Sequence, residues 1–284
     1  MSPNWWPGYN SPSQVRESDS AFHGTPPTGL RRPVSSNGLL FRRDDSLWCC
    51  PARRRSRRNS GLSLHSEVRI RVVSLNVGLP REIEWHDRTV RTSIFKTPTD
   101  RRLRVTTLNL EGDQQSDLSV HGGVDKAVYA YPSEHYQYWR RELPQTDLSW
   151  GVFGENLTIE GLLEENVRIG DRLGVGSAEF VVTQPRMPCF KLGIRFGRPD
   201  IMKRFLRSGR TGFYFAVLLE GEVGAGDSIE LMAQAEGGLT VADVVNLYTV
   251  DAENQELLRR ATQSSALPES WRDYFRKRLW EPDV

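Results

Sequence analysis

The sequence predicts a mainly β protein with appended helices, in which a β-barrel precedes a small three-helix module. Stretches of alternating apolar and polar residues recur from about Val68 to Ala233, as half-buried strands require. Gly, Asp, Asn and Pro turns separate them, and many short strands with Gly-rich corners are typical of a barrel or sandwich. From Leu239 the apolar residues follow helical spacing instead.

Residues 1–65 contain ten Arg, no Lys and four acidic residues, and they are rich in Ser, Pro and Gly. No strand or helix period is visible, so the segment cannot bury enough apolar surface to offset its conformational entropy. We predict a disordered basic tail, with an organellar address or an overlong gene start as alternatives. Because the tail carries +6 and the chain +2, the remainder carries −4, which disfavours specific nucleic-acid binding.

The cysteines indicate a reducing compartment. The chain has three, of which Cys49 and Cys50 are adjacent and Cys189 stands alone, so they cannot all pair within the chain. No apolar run approaches the roughly 18 residues that span a bilayer, and no secretory signal is visible. We expect a cytoplasmic protein that makes no membrane contact and has a free Cys189 thiol.

The strand pattern begins at Val68–Val77, where branched residues alternate with polar ones. Further strands are expected at Thr89–Phe95, Leu103–Leu108, Ala127–Tyr131, Leu157–Ile159, Asp171–Val175, Ala178–Thr183, Phe213–Leu219 and Ser228–Ala233. The pattern V-x-x-G-D-x-aliphatic occurs at Val167 and again at Val223. We interpret both copies as tight corners that feed a strand, where Gly takes a positive φ and Asp bonds the backbone; two unrelated turns are the alternative.

Helical patterns occur in two places. Within the β region, Ser133 and Asp200 are potential caps for helices that end near Glu142 and Arg207. The C-terminal module, residues 238–284, is expected to hold three helices, Thr240–Tyr248, Ala252–Ala261 and Ser270–Leu279. Three short helices cannot form a core alone, so the module should pack on itself and on the barrel.

The most informative stretch for chemistry is Val181–Leu192, which contains Gln184-Pro-Arg-Met-Pro-Cys189-Phe-Lys191. A strand leads into a loop stiffened by two prolines, which holds Arg186 and Cys189 in a fixed relation with Lys191 close by. Neighbouring cations make a thiol a nucleophile or a soft-metal ligand. A buried structural cysteine is the alternative, although prolines and charges are unusual company for one.

Three other stretches are candidates for binding. In His121-Gly122-Gly123, paired glycines can form an anion-binding nest to which His121 or Lys126 adds a donor, or a plain hairpin corner. Asn156, in Phe153-Gly-Glu-Asn156-Leu, either points into a site or bonds its own turn. Taken alone, Lys96 is interpreted as an ordinary exposed lysine.

Absent motifs narrow the function. The chain contains no G-x-x-x-x-G-K-[ST], no G-x-G-x-x-G after a strand, no H-E-x-x-H and no paired C-x-x-C, so common nucleotide loops and zinc sites lack support. A Cys–His hydrolase stays open, with His121 or His135 as the base.

Five ordered motifs resemble those of MOSC-domain proteins, in particular the YiiM-like branch. They are Glu111-Gly-Asp113, His121-Gly-Gly-Val-Asp-Lys-Ala127, Tyr131-Pro-Ser-Glu-His-Tyr136, Phe153-Gly-Glu-Asn-Leu157 and Gln184-Pro-Arg-Met-Pro-Cys189. The resemblance covers about Val68 to the C-terminus and implies a MOSC-type β-barrel followed by three helices. Val124 departs from it, since relatives usually have Pro there.

The resemblance implies that the protein binds molybdenum cofactor (molybdopterin), and it leaves pyridoxal phosphate binding open. It implies that Cys189 is the molybdenum or sulfur ligand, while Arg186 and Lys96 line a cationic pocket, and a soft thiolate and fixed cations suit such a ligand. His121, Gly122, Gly123, Asn156 and Lys191 complete the expected binding set.

The implied activity is reduction of small-molecule N-hydroxylated bases or related N-oxygenated compounds. A separate electron-donor protein is then required, because no flavin, haem or iron–sulfur motif is present. The alternative is a carrier that holds cofactor or sulfur on Cys189 without turnover.

Overall fold

The computed structural model of the chain describes residues 69–116 and 122–280. The predicted tail of residues 1–65 and His121 lie outside the described residues. The strands are β1 Arg71–Val77, β2 Arg81–Trp85, β3 Arg88–Thr92, β4 Thr97–Thr99, β5 Leu103–Val105, β6 Val128–Pro132, β7 Leu157–Glu160, β8 Arg172–Val175, β9 Ala178–Pro185, β10 Phe213–Leu219, β11 Gly221–Val223 and β12 Ile229–Ala233. The helices are α1 Glu134–Glu142, α2 Phe190–Phe196, α3 Ile201–Arg207, α4 Val241–Tyr248, α5 Gln255–Gln263 and α6 Glu269–Arg276.

Eight strands form one mixed sheet in the order β12-β8-β9-β10-β6-β7-β1-β4. Neighbours pair antiparallel, except that β6 and β7 are parallel. The edge strand β12 meets the start of β1, because the Ile229 N–H donates to Ile70 O and the Val72 N–H donates to Asp227 O, each at 2.9 Å. These bonds close the sheet on itself and confirm the predicted mainly β barrel, whose interior is a continuous apolar core.

The two V-x-x-G-D corners are confirmed as equivalent turns. Gly170 has φ 94° and Gly226 has φ 90°. The Asp171 carboxylate accepts the Arg168 N–H at 2.8 Å, and Asp227 accepts the Gly224 N–H at the same distance. The corners lead into β8 and β12, which pair antiparallel with each other, so the two copies of the motif lie at opposite ends of this strand pair.

A second cluster of buried side chains, almost all aromatic and aliphatic, packs between the sheet, α1 and α3. Trp139 of α1 stacks on Phe205 of α3 with 6.0 Å between ring centroids. The Trp139 indole N–H donates to the Tyr131 hydroxyl at 2.7 Å, which satisfies the polar edge of both rings. The two predicted helices are therefore confirmed, whereas neither Ser133 nor Asp200 makes the expected side-chain capping hydrogen bond.

Two local predictions differ from the structure. The strand expected at Thr89–Phe95 is instead one arm of a hairpin, β2–β3, which ends at Thr92. Its turn residues His86 and Asp87 have φ 47° and 58°, a left-handed pair without the glycine that signals such turns in sequence. The predicted loop after Pro188 becomes helix α2, which stops at Gly197 with φ 64°.

The C-terminal module holds the three predicted helices, with bounds shifted by one to three residues at their starts. Thr240 and Asp243 form a reciprocal capping box at the start of α4, and the Asn254 side chain caps α5. Leu258, Ala261 and Phe275 belong to the same apolar core as the barrel residues. Among the described residues, the helices are all too short or too polar to cross a membrane.

Candidate functional site

One small cavity collects most of the predicted site residues. It has a volume of about 100 Å³ and is partly open to solvent. Its charged and polar lining includes Lys96, Asp113, Gln115, Ser116, Lys126, Asn156, Arg186, Cys189 and Lys191, with Ser93, Tyr129 and Tyr214 among the other wall residues. A cavity of this size holds a group of a few heavy atoms, and any larger ligand must extend out of its mouth.

The junction of β9 and α2 brings Arg186 and Cys189 to this cavity. The Arg186 N–H donates to Gly212 O at 3.2 Å, which extends the pairing of β9 with β10 by one bond. Cys189 has extended backbone (φ −124°, ψ 171°) and is the N-cap residue of α2. The two prolines of the motif, Pro185 and Pro188, fix φ between the strand and the helix, so both side chains are held before any ligand binds.

The Arg186 guanidinium lies against two aromatic rings, Tyr129 of the cavity wall and Phe205 of α3. Its central carbon is 5.1 Å from the centroid of Tyr129 and 5.3 Å from that of Phe205. Its Nη1 atom is buried and has no hydrogen-bond partner among the described residues. Buried donors without acceptors are rare, so this guanidinium is suited to an anionic ligand.

Lys96 does not present a free ammonium to the cavity. Its Nζ contacts both carboxylate oxygens of Asp113 at 2.5 Å, and both side chains are buried. Burial lowers the pKa of Lys96, and the charge and hydrogen bonds of Asp113 oppose that shift. Because the pair brings almost no net charge, positive potential in the cavity comes mainly from other residues.

Asn156 fixes Asp113 and the start of β6. Its Nδ2 donates to Asp113 Oδ2 at 2.8 Å, and its Oδ1 accepts the Tyr129 N–H at 3.1 Å. Asp113 also accepts the Gly78 N–H at 2.9 Å. Asn156 was predicted either to point into a site or to bond its own turn. In the structure it lines the cavity and also bonds the surrounding backbone.

The remaining cations of the cavity are Lys126 and Lys191. Lys191 Nζ donates to Ser116 Oγ at 3.2 Å. Burial lowers the pKa of Lys126, while the charges of Asp125 and Cys189 act in the opposite direction. Lys126 and Cys189 line the same cavity, so the amine and the sulfur lie in one local environment.

Glu155, next to Asn156, is a structural carboxyl that sequence reasoning did not single out. It accepts the Gly151 N–H at 2.9 Å, the Phe153 N–H at 3.1 Å and the hydroxyl of Tyr136. Burial raises the pKa of Glu155, although these bonds oppose the shift. Its many donors explain why the Phe153-Gly-Glu-Asn turn is rigid.

Among the described residues that line the cavity, Gly122 and Gly123 are absent. The Gly123 N–H donates to Gln115 Oε1 at 3.3 Å, so this donor is already used in holding the loop. Gly123 has φ 95°, the left-handed region that favours glycine. Together with the position of His121 outside the described residues, this leaves an anion nest at Gly122 and Gly123 as a prediction only.

Asp113, Tyr129 and Tyr214 are site residues that sequence reasoning did not assign. The Asp113 carboxylate gave no local signal because its partners, Lys96 and Asn156, are distant in the chain.

A second cavity of about 330 Å³ lies beside β8 and β12 and is lined by Gly, Ser, acidic and apolar residues. It offers no thiol and no cation, so the smaller cavity is the candidate site.

Two family models match the chain. The MOSC domain matches residues 117–230, and the YiiM-like, 3-alpha helix domain matches residues 239–280. Protein YiiM of Escherichia coli is 37% identical over 189 residues, covering 66% of this chain and 84% of that protein. The chain belongs to the YiiM-like MOSC proteins.

Other relatives extend the comparison for this YiiM-like chain. The uncharacterized protein YflK of Bacillus subtilis is 43% identical over 212 residues, covering 75% of this chain and 96% of YflK. The crystal structure of YiiM from Geobacillus stearothermophilus superposes with TM-score 0.63 and 36% identity, covering 74% of this chain and all of that one. A protein named reductase from Gibberella moniliformis is 35% identical over 177 residues, but the match spans 31% of its length.

Proposed function

We propose that this YiiM-like protein binds molybdenum cofactor at the Cys189 cavity and reduces N-hydroxylated bases or related N-oxygenated compounds. The observation that carries the proposal is that the Cys189 thiol, the Arg186 guanidinium and the side chains of Lys126 and Lys191 line one cavity. The cavity lies in the part of the chain after residue 65, whose net charge is −4, so the positive potential at the cavity is local.

The residues present fit an anionic cofactor that carries a soft metal. A cysteine sulfur is the ligand type that thiophilic metals select. Arg186 has a buried donor without a partner among the described residues, which a phosphate or an oxo group can satisfy through charge-assisted hydrogen bonds. Within the described residues no cluster of His, Cys, Asp and Glu offers a metal-binding set, so the metal would be held by its own cofactor and Cys189.

The cofactor would supply the two-electron chemistry, and the chain's residues would prepare the site. Cys189 would ligate the metal, while Arg186 and Lys191 bind the anionic groups. Asp113 and Asn156 keep Lys96 and the cavity wall in place through their hydrogen bonds. Reduction of an N-hydroxyl group to N–H consumes two electrons and two protons and releases water, and the electrons would come from a separate electron-donor protein.

The test is the molybdenum content of the full chain, together with reductase activity. Protein made in a host that synthesises the cofactor is compared with protein from a cofactor-deficient host, by elemental analysis and with an N-hydroxylated purine base plus a reduced viologen dye. We expect molybdenum and activity in the first preparation alone. Protein without molybdenum from the competent host contradicts the proposal, and molybdenum without turnover favours the carrier.

A matched pair of arginine variants makes the assignment specific to the cavity. Arg186→Ala should lower molybdenum content and activity. Arg207→Ala, which removes the same charge from an exposed position on α3, should leave both at the wild-type level. Equal losses in the two variants would mean that general charge, and not the cavity, controls loading.

A further inference from the structure

A buried side-chain hydrogen bond connects the C-terminal module to the site region. The indole N–H of Trp271, on α6, donates to Gln184 Oε1 at 2.8 Å, and both side chains are buried. Gln184 lies near the end of β9, in the stretch that continues to Arg186 and Cys189. Its other amide atom, Nε2, donates to Asp125 O at 3.3 Å, so Gln184 joins the module to the turn that contains Asp125.

A β-bulge makes this connection possible. Tyr214 of β10 pairs with Gln184, but the next residue, Phe215, pairs with Val182, so Thr183 is an extra residue. Successive side chains of a regular strand point to opposite faces, yet Thr183 Oγ1 also donates to Asp125 O, at 2.7 Å. Two neighbouring side chains of the bulge therefore hold one carbonyl oxygen.

The carbonyl held in this way belongs to the turn that carries Lys126. Asp125 is the central residue of the 3-10 turn Val124–Lys126, and Lys126 lines the same cavity as Cys189. From the other side, Gln115 Nε2 donates to Lys126 O at 3.0 Å. Hydrogen bonds thus hold two successive carbonyl groups of the turn, those of Asp125 and Lys126. One of the bonds to Asp125 O comes from Gln184, which is itself bonded to the module.

We propose that Trp271 is a positioning residue, which through Gln184 and Asp125 holds the 3-10 turn so that the Lys126 ammonium faces the Cys189 cavity. The three-helix module is then part of the assembly of the site, in addition to covering the barrel. This inference goes beyond the proposed function and does not depend on it, because it concerns the placement of a charge in the cofactor-free protein.

The test measures local charge at Cys189 with two alkylating reagents. Iodoacetate is anionic and iodoacetamide is neutral, so the ratio of their rates reports the positive potential at the sulfur. General loosening of the fold raises both rates, whereas loss of the local positive charge lowers the iodoacetate rate relative to the iodoacetamide rate. The full-length, cofactor-free protein is used, and peptide mass spectrometry assigns the rates to Cys189 separately from Cys49 and Cys50.

Trp271→Phe keeps an aromatic ring and removes the indole donor. We expect it to lower the iodoacetate-to-iodoacetamide ratio about twofold to tenfold, the range for one lost hydrogen bond, towards the value of Lys126→Gln. Gln184→Leu removes the same link from the barrel side and must lower the ratio too. Trp280→Phe, at an exposed tryptophan in the same module, should keep the wild-type ratio.

The double variant Trp271→Phe/Gln184→Leu separates positioning from stability. It leaves neither partner buried without a bond, so the free energy of unfolding should recover relative to the single variants. The ratio should stay low, because Asp125 O still lacks the amide donor. A wild-type ratio in Trp271→Phe, a ratio that recovers with stability in the double variant, or no effect of Lys126→Gln would each overturn the proposal.

Discussion

Lys96 and Asp113 form a buried ion pair inside the cavity that contains Cys189. Their side chains are 9% and 3% exposed, and Asn156 bonds the same carboxylate. This relationship changes the meaning of Lys96, which the family resemblance assigns to a cationic pocket. Its charge is balanced by Asp113, so its first role in the structure is to make a buried carboxylate tolerable.

Lys96→Ala should therefore destabilise the protein strongly. Removing one partner of a buried ion pair leaves the other charge uncompensated, at a loss of about 3–5 kcal/mol in the free energy of unfolding. Urea unfolding followed by circular dichroism measures it. Lys96→Ala/Asp113→Ala should regain part of the loss, and a near-wild-type stability of the single variant would show that water enters and solvates Asp113.

Arg186→Lys should restore cofactor binding only in part relative to Arg186→Ala. A planar guanidinium binds an oxo or phosphate group through two parallel N–H donors and also packs on Tyr129 and Phe205, which an ammonium cannot copy. One charge-assisted bond contributes about 1.5–3 kcal/mol, roughly tenfold to a hundredfold in affinity. Titration of isolated cofactor measures it, and full restoration by lysine would argue for simple charge attraction.

Cys189→Ser should abolish molybdenum binding and activity while the fold survives. The hydroxyl is close in size to the thiol but is a poor ligand for a soft metal. Elemental analysis gives the metal content, and the thermal midpoint reports the fold. A folded serine variant with wild-type activity at saturating cofactor would refute the thiolate-ligand hypothesis.

Asp200 should contribute a small, acid-sensitive part of the stability of the α2–α3 connection. Hydrogen bonds from Arg198, aided by Arg204, lower its pKa from 3.8 to about 2. Since the folded-state pKa is the lower one, the contribution is present above pH 3.8 and is lost as the pH falls through about 2. The carboxylate is exposed, so salt should weaken the effect.

Two measurements check the Asp200 prediction. The carboxyl chemical shift in an NMR titration should have its midpoint near pH 2, as its lowered pKa requires. Asp200→Asn should remove the corresponding acid dependence of the thermal midpoint. An ordinary midpoint near 3.8 would mean that the two arginines do not hold the carboxylate in solution.

Much of the fold was predictable because its signals are local. Alternating strands, the helical spacing after Leu239 and the Gly-Asp corners at Gly170 and Gly226 depend on neighbouring residues alone. The β2–β3 hairpin was missed because His86 and Asp87 adopt left-handed backbone without glycine. Helix α2 was missed because two prolines immediately precede it, and its buried Leu192 and Ile194 acquire their partners from distant segments.

The sequence by itself determined the fold class and the family, and it predicted the Cys189 motif as the site, since each depends on residues within a short span. Only the tertiary structure decided which charges share the cavity. Asp113 neutralises Lys96 across 17 positions of the chain, and Trp271 reaches Gln184 across 87. Burial makes such pairs strong, and no local pattern encodes burial between distant segments, so these relationships appear only once the chain has closed its barrel.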